Sequence, residues 1–291
     1  MKIVIGCDVD PVLPERLTQP PAGDIWQCLE GIDRLMDALG SDLPPITWLI
    51  RSDESVRFST GDFASGYTTR QKIWESLMAR GHELGWHFHL MSYDDGRHSF
   101  GFDPDPTWLG DAHRALCAYF PVRATRTGWD YGSNQVFRML DTLGVSVDFS
   151  ALSGTIAWQW AGDDRVTVDW LRCSRAPYHP SIADYQRPGQ LALVELPVAQ
   201  FPNPGVRPLE RMAWRLAHGC CSTTGLRRRH RTLTEQWDGL PYQDSSVWVF
   251  YFHPEDLQGE GLRHFLANIR RLRSLPDGQF VTASAARDTV A

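Results

Sequence analysis

The chain has 291 residues, of which 42% are hydrophobic and 22% are charged, and this balance excludes a disordered chain. The formal net charge is −6 at pH 7, which argues against a nucleic-acid-binding protein because such proteins present a basic surface to phosphate. No apolar run reaches the length needed to cross a membrane, so we expect no membrane span.

Short apolar runs alternate with helical patterns along the chain. Strands are predicted at residues 2–7, 46–50, 83–89, 124–127, 145–149, 191–196 and 247–252, with an eighth at 280–282. Apolar residues at helical spacing lie between them, in residues 25–39, 70–78, 109–118, 134–143 and 263–272. Strands that alternate with helices predict an α/β fold with a parallel sheet, and seven or eight such units favour a barrel.

The whole chain, residues 1–291, is predicted to form one barrel domain. Residues 201–242 interrupt the alternation and are rich in Pro, Gly and Arg; we interpret them as an inserted excursion rather than a second domain. The first strand begins at residue 2, which leaves no room for a secretory signal, and the six cysteines form no CxxC pair. These features predict a cytoplasmic protein with reduced thiols, and the oligomeric state is left open.

Ionisable residues stand at the end of nearly every predicted strand. Active sites of α/β barrels lie at the carboxyl ends of the strands. A stable barrel has no need for charged groups there, so their convergence predicts a catalytic centre. In chain order they are Asp8, Asp10, Arg51, Asp53, His87, His89, Arg126, Asp148 and His253.

Two histidines and two carboxylates in this set have the spacing of metal ligands. His87 and His89 lie two apart, so in a strand both point to the same side. With an Asp from the neighbouring first strand they would complete a set of two histidines and one carboxylate with open positions for water. Asp8 and Asp10 also share a side; one would bind the metal and the other would act as base. An Asp before Pro11 can instead cap a turn, and the spacing alone does not decide which Asp does what.

Five short segments occur in the order typical of one enzyme family. They are CDVD at 7–10, GHELGWHFH at 81–89, RTG at 126–128, VDFSA at 147–151 and FHPE at 252–255. These segments resemble the motifs of the polysaccharide deacetylase superfamily, also called the NodB homology group, which includes carbohydrate esterase family four. The resemblance covers most of the chain and implies a distorted (β/α)₇ barrel with a metal held by one Asp and two His.

The resemblance also implies roles for the residues of the first two motifs. Asp8 would be the catalytic base, Asp10 a metal ligand and His87 the first metal histidine. The family commonly places its second metal histidine four residues after the first, where this chain has Met91. His89 is therefore the candidate for the second histidine. The first motif is D-x-D rather than the usual pair of adjacent acids, which places the chain in a divergent branch.

The remaining motifs imply a base-orienting arginine and a general acid. Arg126 would orient the base, and His253 would protonate the leaving group. Asp148 falls where the fourth motif has its Asp, and we expect it to orient His253 through a hydrogen bond. The predicted substrate contacts near the strand ends are Arg51, Trp86, Trp129 and Tyr178.

The sequence thus predicts a metal-dependent hydrolase. Its cofactor would be a divalent metal, with zinc the first choice, and its substrate an N-acetylated or N-formylated sugar or related small molecule. One alternative is a non-sugar amide or imide hydrolase on the same fold. Another is a non-catalytic binding protein on a decayed barrel, which the absence of a histidine at Met91 keeps open. An amidohydrolase barrel also uses HxH, but it carries that pair after its first strand rather than its third.

Overall fold

A barrel of parallel strands forms the centre of the molecule. This computed structural model describes residues 1–14, 17–161, 164–203, 228–243, 245–288 and 290. The strands are β1 Lys2–Val9, β2 Thr47–Arg51, β3 Glu83–Phe88, β4 Met91–Asp94, β5 Ser99–Phe102, β6 Ala124–Thr127, β7 Val147–Asp148, β8 Ile156–Ala161, β9 Asp164–Asp169, β10 Val194–Glu195, β11 Gln200–Pro202, β12 Arg228–His230, β13 Val247–Phe252 and β14 Gln279–Val281.

Helices follow most of the barrel strands. They are α1 Glu30–Leu39, α2 Glu54–Thr60, α3 Ser65–Thr68, α4 Gln71–Ala79, α5 Leu109–Cys117, α6 Asn134–Thr142, α7 Glu260–Arg273 and α8 Ala283–Arg287. Short 3₁₀ turns lie at Gln27–Leu29, Gly40–Asp42, Gly128–Asp130 and Pro254–Asp256. No helix in the described part of the chain is both long enough and apolar enough to cross a membrane.

Seven of the strands form the barrel in the order β10–β7–β6–β3–β2–β1–β13, and every neighbouring pair is parallel. An isolated parallel bridge joins Val198, just after β10, to Val249 of β13 and so links the two edges. The strand β14 pairs with the start of β1. β7 and β10 contribute only two residues each to the sheet, which distorts the barrel. The predicted α/β fold, a distorted (β/α)₇ barrel, is confirmed.

Side chains of the strands alternate between the inside of the barrel and the helical layer outside it. Ile3 and Ile5 of β1 belong to the large cluster that packs under the helices. Val4, between them, belongs to a second buried cluster with Leu49 and Phe149. This second cluster fills the barrel, and the alternation decides which side chains of each strand face inward.

The inside of the barrel is packed tightly and is covered at its amino end. A Cβ atom at Gly6 would lie 2.3 Å from Cε2 of Phe149, so glycine there makes room for the ring. Ala283 and Ala286 of α8 join the inner cluster, and the backbone N–H of Ala283 donates to Thr47 Oγ1 at the start of β2. Helix α8 therefore covers the amino end, opposite the end where the strands finish.

Several elements outside the barrel were not predicted from the sequence. They include the antiparallel hairpins β4–β5 and β8–β9 and the helix α2. Within the expected excursion at 201–242, residues 204–227 lie outside the described part of the chain. The segments on either side of residues 204–227 pair with each other as β11 and β12. The single-domain assignment stays a prediction.

Candidate metal centre

Inward-facing positions change from apolar to ionisable toward the carboxyl ends of the strands. In β1, Val4 faces inward and Asp8 lies four residues later on the same side. In β2, Leu49 faces inward and Arg51 follows two residues later on the same side. All of these ionisable side chains are largely buried. These inward-facing ionisable residues are Asp8 of β1, Arg51 of β2, His87 of β3 and Arg126 of β6.

Asp10, His87 and His89 bring three donor atoms together at this end of the barrel. Nε2 of His87 lies 3.1 Å from Nε2 of His89 and 3.5 Å from Oδ1 of Asp10. Nε2 of His89 lies 3.6 Å from the same carboxylate oxygen. Among the described residues this is the group of His, Cys, Asp or Glu side chains whose ligand atoms converge closely enough to hold a metal ion. Two imidazoles and one carboxylate suit zinc and similar divalent ions.

The tautomer of His87 is fixed by the chain. Its Nδ1 lies 2.7 Å from the backbone carbonyl oxygen of Arg126; a carbonyl only accepts, so Nδ1 carries the proton. Nε2 of His87 is then a lone-pair donor that points toward Asp10 and His89. Burial lowers the pKa of His87, and burial together with the charge of Arg51 lowers the pKa of His89. Both rings are thus kept neutral, as metal ligation requires.

His89 is held from one side by a tight turn after β6. A Cβ atom at Gly128 would lie 2.2 Å from Cδ2 of His89, so only glycine leaves room for the imidazole. The ring of Trp129 meets His89 edge-on, with ring centroids 4.4 Å apart. Trp129 and Asp130 both have φ of 57°, a strained conformation for residues other than glycine. Met91 lies farther along, at the start of β4, where it pairs with Phe102.

Asp8 and Arg126 form a buried pair beside the donor atoms. Both are almost completely buried, and Nη1 of Arg126 donates to Oδ2 of Asp8. Nη2 of the same guanidinium donates to Asp130, and its face lies 3.8 Å from the ring centre of Tyr251. Oδ1 of Asp8 is buried and has no hydrogen-bond partner among the described residues. The pair therefore compensates its charges while one carboxylate oxygen stays available as an acceptor.

His253 faces Asp8 from the end of β13. Its Nε2 lies 3.7 Å from Oδ2 of Asp8, and its Nδ1 lies 3.5 Å from Oδ2 of Asp256. Burial on its own would lower the pKa of His253. The hydrogen bond to Asp256 and the negative charges of Asp10 and Glu255 outweigh burial and raise that pKa above its ordinary value. His253 is therefore suited to carry a proton at neutral pH.

The expected contact between Asp148 and His253 is contradicted by the structure. Asp148 lies on the outer face of the barrel, where Thr125 Oγ1 donates to its Oδ2 at 2.7 Å and the N–H of Ser150 donates to its Oδ1 at 2.9 Å. The carboxylate that contacts Nδ1 of His253 is Asp256. Sequence reasoning missed Asp256, although its position three residues after His253 in the same turn could have indicated it.

Three of the four predicted substrate contacts are used inside the protein instead. Trp86 is fully buried, and its indole N–H donates to the carbonyl of Ser52. The hydroxyl of the buried Tyr178 donates to the carbonyl of Tyr185 at 2.8 Å. Both side chains face the helical layer rather than the donor atoms. Trp129, the fourth predicted contact, does lie beside the donor atoms, against the ring of His89.

Arg51, the third, uses three of its five N–H groups on neighbouring protein groups. Its Nε donates to Asp53 at 2.7 Å, its Nη1 to Asp10 at 3.0 Å and its Nη2 to Ser55 at 3.0 Å. The side chain therefore binds neighbouring protein groups, and one of them is the carboxylate of the donor set.

Comparisons with known proteins support this fold. No family model matches the sequence, and no curated protein matches it. The structure of a "putative polysaccharide deacetylase" from Mycobacterium smegmatis is similar, with a TM-score of 0.53 and 16% identity over 99% of this chain and 88% of that chain. Puue allantoinase gives a TM-score of 0.49 and 10% identity over 99% of this chain and 89% of that chain. The first of these structures shows that the chain has the same barrel fold as that protein, the fold that its motifs predicted.

Proposed function

We propose that this protein is a metal-dependent hydrolase that removes an acyl group from an N-acylated substrate. The observation that carries the proposal is the convergence of Asp10, His87 and His89 beside the Asp8–Arg126 pair and His253. The donor set fits a divalent transition metal, and zinc is the first choice because it favours imidazole and carboxylate ligands. The family resemblance of the motifs points the same way.

The residues around the donor set divide the proton transfers of amide hydrolysis between them. A divalent ion held there would polarise the acyl carbonyl and lower the pKa of a water molecule. Asp8 accepts the proton of the attacking water through its unpartnered oxygen, while Arg126 holds the carboxylate in place. The new bond forms between water oxygen and the acyl carbon.

His253 completes the reaction as the general acid. It donates a proton from Nε2 to the leaving nitrogen as the C–N bond breaks, so the amine departs neutral. Asp256 accepts from Nδ1 and keeps the protonated imidazole in position. Acid and base are thus separate groups, on β13 and β1, whose nearest polar atoms lie 3.7 Å apart.

For the substrate we propose an acetylated or formylated amino sugar or a related small molecule. The ring of Trp129 beside His89 offers a flat apolar face, which suits the face of a sugar ring. The similarity in fold to a polysaccharide deacetylase agrees with this class. A cytoplasmic location stays a prediction from the sequence.

The first experiment is elemental analysis of the purified protein, comparing the wild type with His87→Ala. We expect about one equivalent of transition metal in the wild type and a loss of most of it in the variant. His98→Ala is the control, because His98 is exposed in the β4–β5 turn and should keep the metal. Wild type and His98→Ala should then release acetate or formate from N-acylated amino sugars. A wild type that stays free of metal after reconstitution would contradict the proposal.

A further inference from the structure

We propose that Asp53 is a positioning residue, which acts with Arg51 to hold Asp10 and His89 in the geometry that binds the metal. This inference rests on the proposed function, because it concerns the same donor set. Asp53 lies just after β2, between the strands that carry the two ligands, and it is completely buried. The family motifs assign it no role.

Both carboxylate oxygens of Asp53 are occupied by protein donors. Oδ1 accepts from the N–H groups of Ser55 and Val56, at 3.0 Å and 3.2 Å, and so caps α2. Oδ2 accepts from the backbone N–H of His89 at 2.9 Å and from Nε of Arg51 at 2.7 Å. Asp53 therefore acts through its neighbours and is not itself a candidate ligand.

Arg51 links Asp53 to Asp10, the carboxylate ligand. Its Nη1 donates to Oδ1 of Asp10 at 3.0 Å, the same oxygen that faces both imidazoles. Because Nε of Arg51 is fixed by Asp53, the direction in which the guanidinium presents Nη1 is fixed as well. One buried carboxylate thus sets the position of the Asp10 side chain and of the His89 backbone.

His89 needs such a hold because it lies beyond the regular part of β3. The strand ends at Phe88. Just after β2, the N–H of Ser52 donates to the carbonyl of His87 and so continues the pairing with β3. The N–H of His89 is met by Asp53 instead. Without that acceptor a buried donor would be left unpaired, which costs free energy and releases the segment. The position of His89 beside His87 therefore depends on Asp53.

The competing explanation is that Asp53 only caps α2. Asp53→Asn separates the two roles, because the amide oxygen can keep the cap while the NH₂ group is turned toward two donors. Glu54→Gln is the matched control: Glu54 is the next residue, and its carboxylate pairs with the exposed Arg57 rather than with a residue of the metal centre. Arg51→Lys is a second test that leaves the cap intact and removes the hydrogen bond to Asp10.

The experiment is a titration of metal-free protein with Co²⁺, followed by the visible absorption bands of the bound ion. We expect Asp53→Asn and Arg51→Lys to bind about 10- to 100-fold more weakly than the wild type, with altered bands, because they change groups that orient ligands. Glu54→Gln should match the wild type. Circular dichroism checks that each variant is folded.

Two outcomes would overturn the inference in different ways. If Asp53→Asn lowers only the melting temperature and keeps the affinity and bands of the wild type, Asp53 is a helix cap alone and the proposed function stands. If the wild type itself binds no Co²⁺, the proposed function fails and this inference fails with it.

Discussion

At the scale of single residues, the protonation of His253 depends on the carboxylates of Asp256, Asp10 and Glu255. Asp8 lies on the Nε2 side and Asp256 on the Nδ1 side. The hydrogen bond to Asp256 is the strongest of the effects that raise the pKa of His253 against the opposing effect of burial. In the proposed reaction His253 is an acid, so the rate is full below its pKa and falls as the pH rises through it.

Asp256→Asn should therefore move the alkaline limb of the pH profile to lower pH. The substitution removes a negative charge that stabilises the protonated imidazole, so the pKa of His253 falls and the acid is lost at lower pH. The measurement is kcat/KM against pH for an active N-acyl substrate. Glu260→Gln, an exposed acid that pairs with Arg263 on α7, should leave the profile unchanged. An unshifted limb in Asp256→Asn would contradict the role of His253 as the acid.

Residue spacing predicted part of this site but not all of it. The rule that strand residues two apart share a face correctly brought His87 and His89 together. Asp148 faces outward because its neighbours Val147 and Phe149 both fill the barrel. Alternation alone does not show which face of a strand buried on both sides points inward. The contacts made by Asp53 and Asp256 depend on turns after the strands, and periodicity does not describe turns.

At the scale of elements, the turn Gly128–Asp130 shapes one wall of the metal centre. It places Trp129 on the imidazole of His89 and Asp130 on Arg126, at the cost of two residues with positive φ. Strain of this kind costs on the order of 1–3 kcal/mol per residue and persists where the surroundings fix the conformation. The indole N–H of Trp170 donates to the carbonyl of Asp130 and is one such fixed contact.

Gly128→Ala should displace His89 and release the metal. The added methyl group would overlap the imidazole, and relieving that overlap must move the ring or the turn. We expect most of the metal to be lost and the free energy of unfolding to fall by about 1–3 kcal/mol. Elemental analysis and urea denaturation measure the two effects. Gly110→Ala in α5, where a Cβ meets nothing within 4 Å, should retain the metal and gain up to about 1 kcal/mol.

Elements were predicted best where the sequence is continuously apolar. The strand β13 begins and ends at the predicted residues, because a strand buried on both faces shows up as an apolar run. β6 also has its predicted bounds, although three of its four residues are polar. Residues 145–149 and 191–196 have the same pattern, yet only Val147–Asp148 and Val194–Glu195 enter the sheet. Where a strand leaves the regular ladder is set by its neighbours in the barrel, and a local pattern does not contain that information.

At the scale of the whole molecule, the donor atoms join parts of the chain that are far apart in sequence. Asp10 follows β1, His87 lies in β3 and His89 follows it, with β2 between β1 and β3 in the barrel. A metal bound there would cross-link two of the seven barrel strands near the open end, while α8 covers the other end. The unfolded chain holds no such site, so binding should stabilise the folded barrel as a unit.

Metal removal should therefore lower the stability of the wild type but not that of a ligand variant. At a free Zn²⁺ concentration 100 times Kd, binding to the folded state alone adds about 2.7 kcal/mol to the free energy of unfolding. We expect a chelator to lower the Tm of the wild type and of His98→Ala, and to leave the Tm of His87→Ala unchanged. Differential scanning calorimetry with and without chelator measures this. An equal response in all three proteins would mean that the metal acts elsewhere than at Asp10, His87 and His89.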